Sequence, residues 1–496
     1  MALNTNFSSF FDPNNNNNPN SLNNTDVGGE DDDDDSNALR INRQKLPTHV
    51  IRTIQESYLK GKALFQAFGE HQFDVQGNIN TCAFVSGTGE YIVKISSGAH
   101  HTLMLTNDGK ILSFGKNLDG QLGIGERSAN FKKDISVAKP RYQFSDEFAI
   151  DVCCGSNHSV ILTNYGNILA CGWNEFHQYG TTLGDHDTSK FSYVEYNNAA
   201  KMVRCGNNAT IVLSIDNELS MCGAGITEKG RSCNVMTSIE DFSKLLSPSE
   251  TIIDVQCGAE HVVVRSSFNN IFFVGQNTYH QMGKSLGEQR RFINITKKLP
   301  FKRDELLSFA CGLYHTLFLC KSGAVYAAGY NGYGQLGTGT LTDSDFVLLT
   351  DVYKYDLTSV YRQGVLSTFD TSMITYTCHV IDTEDKSQYN IDQNEIIKQV
   401  YAGSNHSILV SNLGNIYSFG FGRFGQLNLN TSQDHNPHVT QMFLPKSMID
   451  TTIFSNSTAN ITIIADRQPI NSWMYNNLRK RSRQGELFDI NIRCLK

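Results

Sequence analysis

Five histidines are the first candidates for chemistry. His101, His158, His261, His315 and His406 each stand three residues after a glycine, namely Gly98, Gly155, Gly258, Gly312 and Gly403. Imidazole is the commonest metal ligand and the side chain best suited to acid–base work near neutral pH. A metal centre needs three or four ligands within about 2 Å of one ion. Side chains at matching places in successive copies of a repeat are held apart by the copies themselves, so these histidines read as structural anchors that hydrogen-bond through the ring. One copy manages without: Ala209 follows Gly206 at the same spacing.

Other letters invite chemistry and lose it on context. Gly332-x-Gly334-x-x-Gly337 and Gly420-x-Gly422-x-x-Gly425 spell a dinucleotide fingerprint, but a phosphate cradle has to open a helix, and these recur as turns with the repeat period. Met282-Gly283-Lys284-Ser285 ends like a P-loop, yet Thr278 occupies the place of the required first glycine. Of 12 cysteines, Cys154, Cys205, Cys257 and Cys311 stand directly before a repeat glycine, where Ser97 and Ala402 fill the same slot. The slot wants a small buried residue, and with no CxxC spacing these are packing thiols. No Ser/His/Asp or Cys/His set stands out from the periodic background, so we expect no enzyme activity and no cofactor.

Composition narrows the partners. The chain has 496 residues, only 18% charged, with 29 Phe and 20 Tyr, which favours half-buried strands. A net charge of −7 lacks the basic footprint of a nucleic-acid binder. No apolar run reaches about 18 residues, and Met1-Ala2-Leu3-Asn4 does not open a signal peptide. The expectation is a cytoplasmic or nuclear protein that binds neither membrane nor nucleic acid.

What must position these residues is a repeat. The unit from Val93 to Gly123 returns with leading glycines Gly98, Gly155, Gly206, Gly258, Gly312 and Gly403, at steps of 57, 51, 52, 54 and 91 residues. Short apolar stretches such as Val160-Ile-Leu and Val325-Tyr-Ala alternate with Asn-Asp-Gly or Lys-Ser-Gly turns, which predicts strands joined by tight hairpins. About four strands fit a unit of this length, one propeller blade. Ala63–Gly69 followed by Gly77 matches the second half of a unit, and Thr452–Ile464 a worn first half. Six full units and two complementary halves predict an all-β fold, a seven-bladed propeller closed by pairing the first and last strands.

The motif Gly-x-x-His-Thr/Ser…Gly-Lys/Asn-Ile…Gly-x-Asn-x-x-Gly-Gln-Leu-Gly resembles the repeat of the regulator of chromosome condensation propellers over about residues 63–465. The resemblance implies a protein-binding ring, and in the family's exchange factors one face meets a small Ran-type GTPase. That face carries several acidic groups there. Here the second variable residue before each repeat histidine, or before Ala209, is His100, Asn157, Asn208, Glu260, Tyr314 or Asn405, and only Glu260 is acidic.

Three regions fall outside the regular array. Residues 1–45 hold Asn14–Asn18 and Asp31–Asp35 and read as a disordered acidic tail. The propeller is assigned to 46–466, with Val50, Ile51, Ile54 and Tyr58 at helical spacing before the first strand. A long insertion at about 343–396 carries Tyr353, Tyr355 and Tyr361, candidates for partner contact. Residues 467–496, with the basic run Arg479–Arg483, resemble the opening of a BTB/POZ domain, which would imply a cullin-type ligase partner. The expected function is a non-enzymatic scaffold or adaptor, with guanine-nucleotide exchange and ubiquitin-ligase adaptor as alternatives.

Overall fold

The computed structural model describes residues 41–56, 64–69, 92–180, 188–224, 226, 233–349, 352–353, 395–423, 426–427, 434–442, 451–454 and 461–466. Six antiparallel sheets follow one another along the chain, each built by consecutive strands. We name them blades A (92–137), B (149–193), C (200–238), D (252–294), E (306–348) and F (397–441).

Each blade's second and third strands are almost wholly buried, as in His158–Thr163 and Ile168–Gly172, where every residue is buried. A strand sandwiched between neighbouring blades has no solvent face, so period-two alternation disappears. The outer strand Gln289–Asn294 shows the contrast, with exposed and half-buried residues around the buried Phe292. Hairpins between the second and third strands need a residue at positive φ. Gly166 supplies it in blade B at φ +76°, whereas blades C and D use Asn217 at 66° and Asn269 at 58°. Asparagine is among the few side chains that tolerate this region.

The expectation of seven blades is corrected to six. Leu64–Gly69 does pair with Ile461–Asp466, joining the two ends of the array, and Thr451–Phe454 lies beside the latter. That sheet has three strands among the described residues, however, one short of a blade. Counting glycine marks over-counts blades, because a half-unit carries the mark without the full set of strands. Gly77, the second mark of the opening half-unit, lies outside the described residues.

The predicted helix forms as Thr48–Glu56. Its Val50, Ile51 and Ile54, together with buried Leu46, pack on a cluster containing Ile150, Val160 and Val203, which ties it to blades B and C. Asn42 is also fastened to blade B, donating to the Tyr165 carbonyl at 2.6 Å while its backbone N–H donates to Asn167 at 2.7 Å. Tyr58 lies outside the described residues, as do Tyr355, Tyr361, residues 1–40 and the whole 467–496 segment. The stretch expected as an insertion from about 343 opens instead with Ser344–Leu348, the fourth strand of blade E; beyond it Val352–Tyr353 runs parallel to His435–Gln441 as a fifth strand on the outer edge of blade F.

Candidate protein-interaction face

Each Gly-x-x-His turn links a blade's innermost strand to its second, and the same backbone pattern recurs in all six blades. The glycine N–H donates to the carbonyl three residues on, as from Gly155 to His158 at 2.9 Å and from Gly312 to His315 at 2.8 Å. The carbonyl of the second variable residue accepts the N–H that follows the third-strand glycine. The pairs are Lys116 to His100, Trp173 to Asn157, Ala224 to Asn208, Gln276 to Glu260, Tyr330 to Tyr314 and Phe421 to Asn405, all at 2.7–2.9 Å. A side chain at Gly172 would put its Cβ 2.5 Å from the Asn157 carbonyl, so this approach is reserved for glycine.

Neighbouring blades are also linked at these turns. Ala99 donates to Ser156 and Ser156 to Asn207, while Ala259 donates to Leu313 and Leu313 to Ser404, all at 3.0–3.1 Å. His100, Asn157, Asn208, Glu260, Tyr314 and Asn405 therefore sit on one preorganised frame, each half-buried. Tyr353 belongs elsewhere, on the outermost strand of blade F rather than at a turn from its innermost strand.

Below the turns the repeat histidines are fully buried. Each ring occupies the space where a Cβ on its glycine would lie: that atom would be 2.0 Å from the Cε1 of His158 at Gly155 and of His315 at Gly312. His101 and His315 reach into the next blade, their Nε2 atoms 2.9 Å from the Oγ of Ser159 and Ser407. Ser159 donates to the Gln121 carbonyl at 2.7 Å and Ser407 to that of Gln335 at 2.8 Å. Each serine's proton is thus committed, and each histidine must donate from Nε2. His158 Nε2 lies 3.2 Å from Thr210 Oγ1 of the next blade. Burial drives the ring pKa values down, to about 3 for His101, His158 and His315 and about 4 for His261 and His406. These imidazoles are neutral at physiological pH, and among the described residues no group of three or more His, Cys, Asp or Glu side chains could hold a metal. Cys154, Cys205, Cys257 and Cys311 are buried, with thiol pKa values raised by desolvation, so they are poor nucleophiles.

The sequence reading missed a second row of side chains beside the turns, carried by the Gly-x-Asn-x-x-Gly-Gln loops. In each such loop the Asn and Gln side chains are buried and brace the backbone. Asn331 Oδ1 accepts from Leu336 N–H at 2.9 Å and Gln335 Oε1 from Tyr333 N–H at 3.0 Å, as Asn277 and Gln281 do for Met282 and Tyr279. The variable positions of these loops hold Lys116, Trp173, Phe176, Tyr279, Tyr330 and Tyr333, and Phe421 takes the matching place in blade F, where Gly422 replaces the Asn. Their signal was available: they are the x positions of the motif that revealed the repeat.

Comparison with known proteins agrees with this architecture. The chain is 24% identical over 367 residues to the ultraviolet-B receptor UVR8 of Arabidopsis thaliana, covering 70% of this chain and 80% of that one. It is 26% identical over 343 residues to the human X-linked retinitis pigmentosa GTPase regulator, covering 68% of this chain but only 29% of that protein. Among solved structures, Prp20p of Saccharomyces cerevisiae, described with binding properties towards Gsp1p and histones, superposes with a TM-score of 0.58 at 16% identity, over 89% of this chain and 99% of its own. At that identity the likeness speaks for the fold. The RCC1-like domain family matches residues 63–462, most of the chain and the whole run of blades. This protein belongs to the RCC1-like domain family.

Proposed function

We propose that this propeller is a non-catalytic interaction module, acting in the cytoplasm or nucleus, that reads a protein partner with the face built by its Gly-x-x-His turns. The supporting observation is the six-fold backbone lock under His100, Asn157, Asn208, Glu260, Tyr314 and Asn405. It holds six unlike side chains on identical supports, so a partner meets a surface whose ordering cost was met during folding. Affinity capture from cells with the full chain and with Asn157→Arg/Asn208→Arg tests this. A folded double variant that loses a partner retained by the parent supports the reading; an unchanged set of partners counts against it.

A small GTPase is the partner class favoured by the relatives, through the GTPase regulator and the Gsp1p-binding Prp20p. Release of labelled GDP from a Ran-type GTPase at substoichiometric protein distinguishes exchange from binding alone. The insertion belongs to the same proposal, tested by deleting 354–394. A larger cut would remove Ser344–Leu348, the outer strand of blade E. The family match ends at residue 462 and does not reach the BTB-like segment, so the ligase reading is carried no further.

A further inference from the structure

Five aromatic rings form an unbroken line across blades D, E and F. Tyr314 contacts Tyr279 with ring centroids 5.3 Å apart, Tyr279 contacts Tyr330 at 5.0 Å, Tyr330 contacts Tyr333 at 6.0 Å, and Tyr333 contacts Phe421 at 4.9 Å. All five are half-buried. Tyr314 lies in the turn of blade E, its carbonyl holding the Tyr330 N–H, so the line starts on the proposed face. Rings already packed against one another lose little freedom when something settles on them.

The two ends of this line differ in charge. At the Tyr314–Tyr279–Tyr330 end stand Glu260 and Asp343. The negative charge of Glu260 helps burial raise the Tyr314 pKa to about 12, and that of Asp343 acts likewise on Tyr330, whose pKa is also raised. Asp343 is exposed, with one carboxylate oxygen accepting the Asn331 N–H at 2.8 Å. At the other end the exposed Arg423 follows Phe421 by two residues. An apolar occupant at the tyrosine end would strip water from two carboxylates without compensation, and a phosphate-bearing one would be repelled. A guanidinium or ammonium gains from both features, the ring faces and the carboxylates.

We propose that Tyr279, Tyr314 and Tyr330, with Glu260 and Asp343, form a docking site for an arginine or lysine side chain on an extended basic segment of a protein partner. This deepens the interaction-face reading and rests on it. The probe is a fluorescent dodecapeptide of Gly, Ser and four arginines, titrated into the full chain by fluorescence anisotropy. Its controls are the same peptide with citrulline for arginine, and a proline-rich peptide of equal length. The arginine peptide should bind at least tenfold more tightly than the citrulline peptide, and more weakly as salt rises. Glu260→Gln/Asp343→Asn, which leaves the rings in place, should weaken it at least fivefold, Tyr279→Leu/Tyr330→Leu at least tenfold, and Phe421→Leu less than twofold. Equal binding of arginine and citrulline peptides, indifference to the carboxylate variant, or preference for the proline-rich peptide would overturn the proposal. If Asn157→Arg/Asn208→Arg abolishes partner capture while Glu260→Gln/Asp343→Asn changes neither capture nor peptide binding, the face survives and the cation site does not.

Discussion

The seam between blades E and F and the seam between blades C and D solve one packing problem in opposite ways. At the first, His315 donates to Ser407, which donates to the Gln335 carbonyl, a polar bolt with every proton placed. At the second the histidine position holds Ala209, and the position matching Ser407 in the next blade holds Val262. Both belong to one apolar cluster with Val264 and Val274. The donor and its acceptor are lost together, which is the inexpensive way to remove a buried hydrogen bond, since neither group is stranded. Glycine tracks the same difference. A Cβ at Gly312 would lie 2.0 Å from the His315 ring and 2.8 Å from the Gly403 carbonyl, whereas at Gly206 the nearest atom is the Gly258 carbonyl at 3.0 Å. The fold therefore requires a filled seam, and the chemistry of the filling is a choice made seam by seam.

The sharpest way to break this contrast is at the glycines. Gly312→Ala should cost about 3 kcal/mol or more, because the ring it strikes is fixed by the bolt, and Gly206→Ala about 1 kcal/mol. Urea midpoints of the two variants measure the gap, and equal losses would refute the account.

Exchanging the fillings comes next. Ala209→His places an imidazole against Val262 without an acceptor and should cost about 2–3 kcal/mol. Adding Val262→Ser should recover at least about 1 kcal/mol of it, a coupling that a double-mutant cycle reads directly.

Acid should separate the two seams more gently. A buried histidine with a folded pKa of about 3 binds fewer protons than its unfolded counterpart, whose value is near 6.5. Stability is therefore full above about pH 6.5 and falls as pH drops towards 3, by up to about 1.4 kcal/mol per pH unit for each such ring. His315→Gln should show a shallower fall between pH 6 and 4 than the parent, by up to that amount, in denaturant titrations at each pH. Ala209, having nothing to titrate, contributes no slope.

The smallest effect belongs to the face itself. Asn157→Ala and Asn208→Ala should each change stability by less than about 0.5 kcal/mol, because the lock below them uses only backbone atoms. A larger loss in thermal denaturation would mean that these side chains hold the ring together rather than read a partner.

Much of this was legible in the letters. The spacing of Gly98, Gly155, Gly206, Gly258, Gly312 and Gly403 locates the blades: at every one but Gly206 only glycine allows the histidine ring so close, and at every one but Gly403 the next blade's carbonyl also lies within about 3 Å of where a Cβ would be. Ala209 was visible as an exception, but its partner Val262 was not, because the pairing runs between blades 53 residues apart in sequence. The blade count failed for a related reason: glycine marks report turns, and the three strands at the joined ends show their number only when paired. The line from Tyr314 to Phe421 was hidden as well, its members lying in three blades and meeting only when those blades stand side by side.

The sequence by itself determined the local rules, namely where strands turn, which residues lie between sheets, and that six turns share one backbone geometry. These depend on φ preference and apolar runs within a few residues. Tertiary structure alone decided how blades meet: the direction of each histidine's hydrogen bond, the three-stranded closing sheet and the aromatic line. Contacts of that kind join residues remote along the chain, and no local preference encodes the distance between them.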